Sequence, residues 1–336
     1  MKRRNFIYRS SQAGMALTLL GMAACKDKPK NTMAAEPDEA GGPEPETAPF
    51  FKLSLAQWSI HKMVREEGLD PFEFAAKAKS WGFSGLEYVS QLYQEELADD
   101  AVNKIQMFTD AEMQAFVERS NEEARKHGMQ NLLIMIDDQG DLALTDKAAR
   151  TAAVENHYKW VDAAQAMGCH SIRVNLSGSS DPETWVSNSV DGLKSLATYA
   201  RGKNINVLVE NHGGLSSNAA LLARVMQEVG MDNCGTLPDF GNFCISEDDS
   251  GCIDQYDRYK GVSELMPYAR AVSAKSNNFD SSGDEIEIDY ARMLQIVKDA
   301  GYTGFVGVEY EGDVLSEEEG IVATRELLLK AAKKVS

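Results

Sequence analysis

The chain from residue 50 onward predicts an α/β protein, a (β/α)8 barrel in a single domain. Three observations carry the prediction. Short apolar runs alternate eight times with longer stretches of helical period. The span 50–336 has the length of one large α/β domain rather than two small ones. Nearly every apolar run also ends in an amide, a carboxylate or a cation, as strands do when their C-terminal ends build a site.

Taken in order, the first strand covers 53–58 and its helix 70–80. A strand at 85–88 is followed by an acidic loop and a helix over 110–127, where Met113, Phe116, Val117 and Ala124 share one stripe. Strand 132–136 precedes a long helix at 146–167, and strand 171–175 precedes a helix within 182–202. The fifth unit pairs a strand at 207–210 with a helix at 217–229 that Gly230 closes. The sixth strand, 234–239, leads into a long loop and a helical turn near Met266. Strand 271–275 with helix 290–300, then strand 305–309 with helix 317–334, complete the set. An open, doubly wound sheet is the alternative. Against it, the glycine-rich dinucleotide fingerprint is missing after the first strand, where the chain reads Gln57-Trp58-Ser59-Ile60-His61.

Residues 1–24 read as an export signal. Lys2, Arg3 and Arg4 precede an apolar core at 13–20, and small residues lead up to Cys25. The paired arginines resemble a twin-arginine signal and the small residues a lipoprotein processing box. The core is short for a permanent span, which favours cleavage. The expectation is an exported, periplasmic or outer-membrane-associated lipoprotein, touching the membrane only through lipid on Cys25; an ordinary peptidase cut downstream is the alternative. Residues 25–49, rich in Pro, Glu, Asp, Ala and Gly, read as a flexible tether before the barrel at 50–336. Loss of the four basic residues of the leader takes the net charge from −18 to −22, so a phosphate backbone would be repelled and nucleic acid is not an expected partner. Cys244 and Cys252 form the easiest disulfide in an oxidising compartment, and unpaired thiols throughout are the alternative; Cys169 and Cys234 complete the cysteines of the barrel. No feature of the sequence specifies an oligomeric state.

The strand ends make an inventory of candidate site residues: Gln57 and His61, Glu87, Asp137, Arg173 and Asn175, Glu210 and His212, Asp239 and Asn242, Lys275, and Glu309 with Glu311. Residues two apart on a strand share a face, so Glu210 and His212 are expected to project together. A strand-end carboxylate can also simply satisfy helix N-terminal amides. The number of like charges at one mouth argues for a bound cation or a polyhydroxylated ligand. Glu210, Asp239 and Glu309, from separate strands, suit a divalent ion such as Mg2+, Mn2+, Co2+ or Zn2+. Such an ion can polarise a sugar carbonyl, so that a carboxylate or Lys275 can remove the adjacent proton. Arg173 is expected to contact substrate oxygens, with Glu87 and Asp137 orienting it. His127, His157 and His170 are expected to be structural.

Three of these stretches, Val209-Glu210-Asn211-His212, Pro238-Asp239-Phe240-Gly241-Asn242 and Gly307-Val308-Glu309-Tyr310-Glu311-Gly312, resemble the xylose-isomerase-like TIM barrels. That family includes sugar phosphate isomerases and epimerases, inosose dehydratases and endonuclease IV. The resemblance spans about 53–334 and implies that Glu210, Asp239 and Glu309 ligate a metal, the two glutamates also serving as acid and base. The family commonly supplies a histidine two residues before the seventh-strand lysine, whereas here Ser273 precedes Lys275. His212 or water then completes the shell, or metal binding is weak, or the chemistry runs through Lys275. The function expected is metal-assisted isomerisation or epimerisation of a non-phosphorylated sugar or derivative. Elimination from a 3-keto-glycoside or inosose-like substrate is the alternative, and a non-catalytic sugar-binding lipoprotein with Trp58, Tyr93, Trp185 and Tyr310 as platforms is a third reading. Endonuclease chemistry is disfavoured by the charge and by the small number of histidines.

Overall fold

The computed structural model describes residues 48–94 and 108–335. The leader, Cys25, nearly all of the tether and most of the acidic loop after the second strand lie outside the described residues. The compact unit spans Thr47–Ser336.

In chain order the strands are β1 (Lys52–Ala56), β2 (Gly85–Val89), β3 (Gln130–Ile136), β4 (Ser171–Val174), β5 (Asn206–Glu210), β6 (Cys234–Leu237), a hairpin of β7 (Cys244–Asp248) and β8 (Gly251–Gln255), β9 (Val272–Ser276) and β10 (Phe305–Tyr310). The helices are α1 (His61–Arg65), α2 (Phe74–Ser80), α3 (Asp110–His127), α4 (Lys147–Met167), α5 (Pro182–Arg201), α6 (Ala219–Val229), α7 (Arg258–Leu265), α8 (Tyr290–Asp299) and α9 (Glu317–Ala332). Eight strands pair in parallel in the order β6-β5-β4-β3-β2-β1-β10-β9. Bridges from Thr236 to Ala269 and from Asp239 to Ser273 close the seam between β6 and β9. Ser273 donates its N–H to Pro238 at 2.9 Å there, and Phe240 donates to Ser273 at 3.1 Å. The result is the (β/α)8 barrel.

Both faces of these strands are covered, so they are continuous apolar runs: Val207, Leu208 and Val209 are wholly buried, as are Leu133 and Ile134. Helix ends follow local chemistry. Thr109 and Glu112 form a reciprocal capping box at the start of α3, and Gly128 ends it with φ 63°. Ser316 and Glu319 repeat the box on α9.

The departures from expectation lie at element ends and in one loop. β6 stops at Leu237 because Pro238 has no N–H for the ladder. α6 starts at Ala219, after a 3₁₀ turn over Gly214–Ser217, with Asn218 as its cap. The long loop after β6 contains the β7–β8 hairpin and α7 ahead of the expected helical turn, a 3₁₀ turn over Met266–Tyr268. Cys244 and Cys252 are disulfide-bonded across that hairpin, while Cys169 and Cys234 are free and buried.

Candidate active site

Three carboxylates from the ends of β5, β6 and β10 converge at the mouth of the barrel. Glu210 closes β5, Asp239 follows β6 and Glu309 lies near the end of β10. Each presents an oxygen, and these oxygens all lie within 4.8 Å of one another. Their relative exposures are 1%, 0% and 4%, so the like charges meet with little water to screen them.

The sequence holds them in place through amides and hydroxyls. Asn211 donates to the carbonyls of Asp239 and Asn242, both at 3.0 Å, and accepts from the Asp239 N–H at 2.8 Å. It thereby pins the end of β5 to the end of β6. One Asp239 oxygen accepts from the N–H groups of Gly241 and Asn242 at 2.8 and 2.7 Å. Ser273, where the histidine was expected, places its hydroxyl 2.7 Å from Asp239 and 3.0 Å from Glu309, tying the two carboxylates together.

Two buried cations partly balance the cluster. Arg173 Nε stands 2.8 Å from Glu210 in an ion pair that lacks hydrogen-bond alignment. Its Nη1 donates to Asp137 at 2.9 Å and to Asn175 at 3.2 Å. Lys275 donates to Asn242 at 2.9 Å and pairs with Glu311 at 3.0 Å. Burial alone would favour a neutral Lys275, but Asp239, Glu309, Glu311 and Glu210 raise its pKa well above the ordinary lysine value. Burial pushes Asp239 up to about 6 against the pull of Lys275, with Glu210 adding to the rise. Glu309 is driven well above the usual carboxylate range by burial, then by Glu210, Glu311 and Asp239, with Lys275 opposing. Burial also acts on Asp137, yet Arg173 and His212 hold it below the ordinary value. Five carboxylates therefore share two cations, and burial, reinforced by the neighbouring carboxylates, pushes Asp239 and Glu309 toward the protonated form. That donor set fits a divalent cation, and its oxygen-only character suits a hard ion.

A cavity of about 460 Å³ opens over the cluster, with Trp58, Asp137, Arg173, His212, Lys275 and Glu309 in its walls. Glu309 faces it, whereas Glu210 and Asp239 lie beneath, held by residues that do. Asn242 and Glu311 also line it.

Several candidates fall elsewhere. The chain leaves β5 at Glu210 and turns through Gly213 at φ 79°, so His212 is exposed on a loop while Glu210 is buried. The cluster of donor oxygens does not include His212, which stands on the cavity wall. Gln57 lies in a 3₁₀ turn just past β1 and is spent on structure, donating to Pro71 and Tyr93 at 3.0 and 2.9 Å and accepting from Val89 at 3.0 Å. His61 stacks on Trp58 at 4.5 Å and stands 2.7 Å from the Trp58 carbonyl and 3.2 Å from Glu317. Glu87 sits inside the barrel below the cavity, one oxygen accepting from Ser54 at 2.6 Å, and burial raises it to about 7. Asn175 is not in the wall of this cavity and donates to Asp137 at 2.5 Å. Of the four candidate aromatic platforms only Trp58 lines the cavity; Trp185 is buried and donates to Leu176. Wall residues without a sequence signal include Gln91, from the 3₁₀ turn after β2, and Glu247, from the hairpin. Apart from the turn residues Asp248-Asp249-Ser250-Gly251, the hairpin carries no strand signal, since each of its strands has a single β-branched residue, Ile245 and Ile253.

A closed eight-stranded barrel with buried carboxylates at its C-terminal mouth defines a class of metal-competent α/β-barrel proteins. The chain belongs to the xylose isomerase-like TIM barrel family, whose sequence model matches residues 75–331. No protein of curated function matches it by sequence at a significant level. Among solved structures it is similar to an L-ribulose 3-epimerase, with TM-score 0.61 and 15% identity over 84% of this chain and 96% of that one. It is also similar to a 3-keto-D-glucoside 4-epimerase from E. coli, with TM-score 0.61 and 12% identity over 83% and 99% of the two chains. A xylose isomerase-like barrel from Mycobacterium smegmatis in complex with magnesium matches with TM-score 0.57 and 14% identity over 85% and 98%. Likeness at these identities is one of fold.

Proposed function

We propose that the protein is a divalent-metal-assisted isomerase or epimerase of a non-phosphorylated sugar or sugar derivative, acting by removal of a proton next to a carbonyl. The observation that carries this reading is the Glu210–Asp239–Glu309 cluster with Glu309 facing the cavity. A divalent ion held by those three carboxylates would polarise the substrate carbonyl and acidify the adjacent C–H. Glu309, in the cavity wall, would take up or deliver the proton, with Glu210 as its proposed partner. Arg173 and Lys275, both fixed by carboxylates, point positive charge toward oxygens that gain negative charge in the reaction.

The absence of phosphate from the substrate is read from charge. Asp137, Glu247, Glu309 and Glu311 line the same cavity, and both cationic side chains in its wall are already paired. The family fold and the sugar epimerases among its structural neighbours support a sugar as ligand. Elimination is a second reading. It is favoured by His212, which stands beside the ionised Asp137 at one side of the cavity where a leaving group would need a proton. The same proposal has the protein exported and anchored through Cys25, and the Cys244–Cys252 disulfide supports an oxidising compartment.

The experiment is metal analysis of the purified protein, followed by product analysis with ketohexoses and 3-keto-glucosides before and after chelation. Epimerised product that disappears with chelator and returns with Mg2+ or Mn2+ is expected. A protein that binds no divalent ion and whose turnover ignores chelator contradicts the metal reading, and leaving-group release in place of epimer establishes the elimination.

A further inference from the structure

A second chamber of about 660 Å³ adjoins the cavity over the carboxylates, and the two share Gln91, Asp137 and His212 in their walls. Each has a volume typical of a small-molecule site. They differ in chemistry. The first is dominated by charge, whereas one wall of the second is an apolar strip formed by Leu144 with Ala149, Ala152 and Ala153 along one side of α4.

The second chamber is built, not left over. Its loop leaves β3 through Asp138 at φ 54°, a conformation uncommon outside glycine, and Gly140 at φ 87°. Gln91 donates to the Asp138 carboxylate at 3.1 Å, fixing the shared wall. Further along, Ala143 donates to Ser177 at 2.9 Å and accepts from Ser179 at 3.2 Å. Gly178 packs so closely on Ala143 that a Cβ there would stand 2.2 Å from its carbonyl carbon. At the chamber's inner end His157, 3% exposed, has Nδ1 2.7 Å from the Ala153 carbonyl. That carbonyl can only accept, so Nδ1 carries the proton and Nε2 is left as an acceptor for a ligand hydroxyl.

We infer that the substrate is a keto sugar carrying a ring-sized substituent through a glycosidic oxygen, the sugar lying over the carboxylates and the substituent in the second chamber against α4. This assignment rests on the sugar reading of the first cavity and specifies its substrate class. The two-chamber arrangement suits two ring systems joined by a short link, because the shared residues form a passage between a charged compartment and a partly apolar one. It also gives His212 and Asp137 a position beside the linking oxygen.

The test is isothermal titration of the full chain, loaded with Mg2+, with matched pairs of methyl and 4-nitrophenyl 3-keto-glycosides of glucose, galactose and xylose. Binding of the nitrophenyl member at least tenfold tighter than its methyl partner is expected for the preferred sugar. Ala152→Trp, at an exposed position of α4, should abolish that advantage and leave the affinity for the methyl glycoside unchanged. Ala149→Trp serves the same purpose if the first variant fails to fold. Equal affinity for the two members, or an equal loss for both in the variant, overturns the second chamber while leaving the sugar reading intact. Failure of every glycoside and every free sugar to bind overturns the sugar reading itself, and this inference with it.

Discussion

Replacing Glu87 by glutamine separates burial from ion pairing at the centre of the barrel. Glu87 is 1% exposed; one of its oxygens accepts from Ser54 and the other has no hydrogen-bond partner among the described residues. Burial raises its pKa from the ordinary 4.5 to about 7, with Ser54 opposing and Glu210 reinforcing the shift. A folded-state pKa above the unfolded value means that the folded protein binds more protons between those two values. Stability is therefore unaffected by Glu87 below about pH 4.5, falls as pH rises toward 7, and carries the full penalty above it. At about 1.36 kcal/mol per pKa unit the penalty is about 3 kcal/mol. Glutamine keeps the shape and the acceptor for Ser54 but cannot ionise. In urea denaturation followed by tryptophan fluorescence, the difference between Glu87→Gln and the parent should move in the variant's favour by about 2–3 kcal/mol between pH 5 and pH 8. Parallel stability curves for the two proteins would refute the reasoning, because they would mean that Arg173 balances the charge and that Glu87 is ionised throughout.

Two further substitutions probe the same region. Gly307→Ala would place a Cβ 2.6 Å from both oxygens of the buried Glu87 carboxylate, and it should destabilise by about 1–3 kcal/mol. Glu87→Ala in the same chain should relieve much of that loss in a double-mutant cycle, and additive losses would show that the crowding lies elsewhere. Arg173→Met removes the partner of both Glu210 and Asp137, leaving buried charge uncompensated, and should lower stability by about 3–5 kcal/mol. A loss below about 1 kcal/mol in denaturant titration would show that the guanidinium is not what holds those carboxylates.

The barrel was legible because parallel strands covered on both faces must be apolar throughout, as at 207–209 and 132–136. Helix ends were legible where the chemistry is local: the bounds expected for α3 match because Thr109, Glu112 and Gly128 act within one turn of it. The hairpin was not legible. β8 is exposed along its whole length, so burial imposes no pattern on it. The three carboxylates were readable because each stands at or just beyond a strand end. Proximity to a strand end does not say where a side chain goes once the strand stops. The 3₁₀ turn after β1 carries Gln57 to Pro71 and Tyr93, and the turn after β5 separates His212 from Glu210. The second chamber depends on a loop at 137–144 meeting α4, and neither segment signals it alone.

Proton abstraction beside a carbonyl at the Glu210–Asp239–Glu309 cluster would leave an isotopic trace in the substrate. Exchange of solvent deuterium into a bound ketosugar, followed by proton NMR with the Mg2+- or Mn2+-loaded protein, tests it most directly. Deuterium is expected to enter at the carbon next to the carbonyl, with or without net turnover, and Glu309→Gln and Glu210→Gln should each lower the rate by at least about 100-fold. A ketosugar that binds to the wild-type protein and exchanges no faster than in buffer would contradict proton abstraction there.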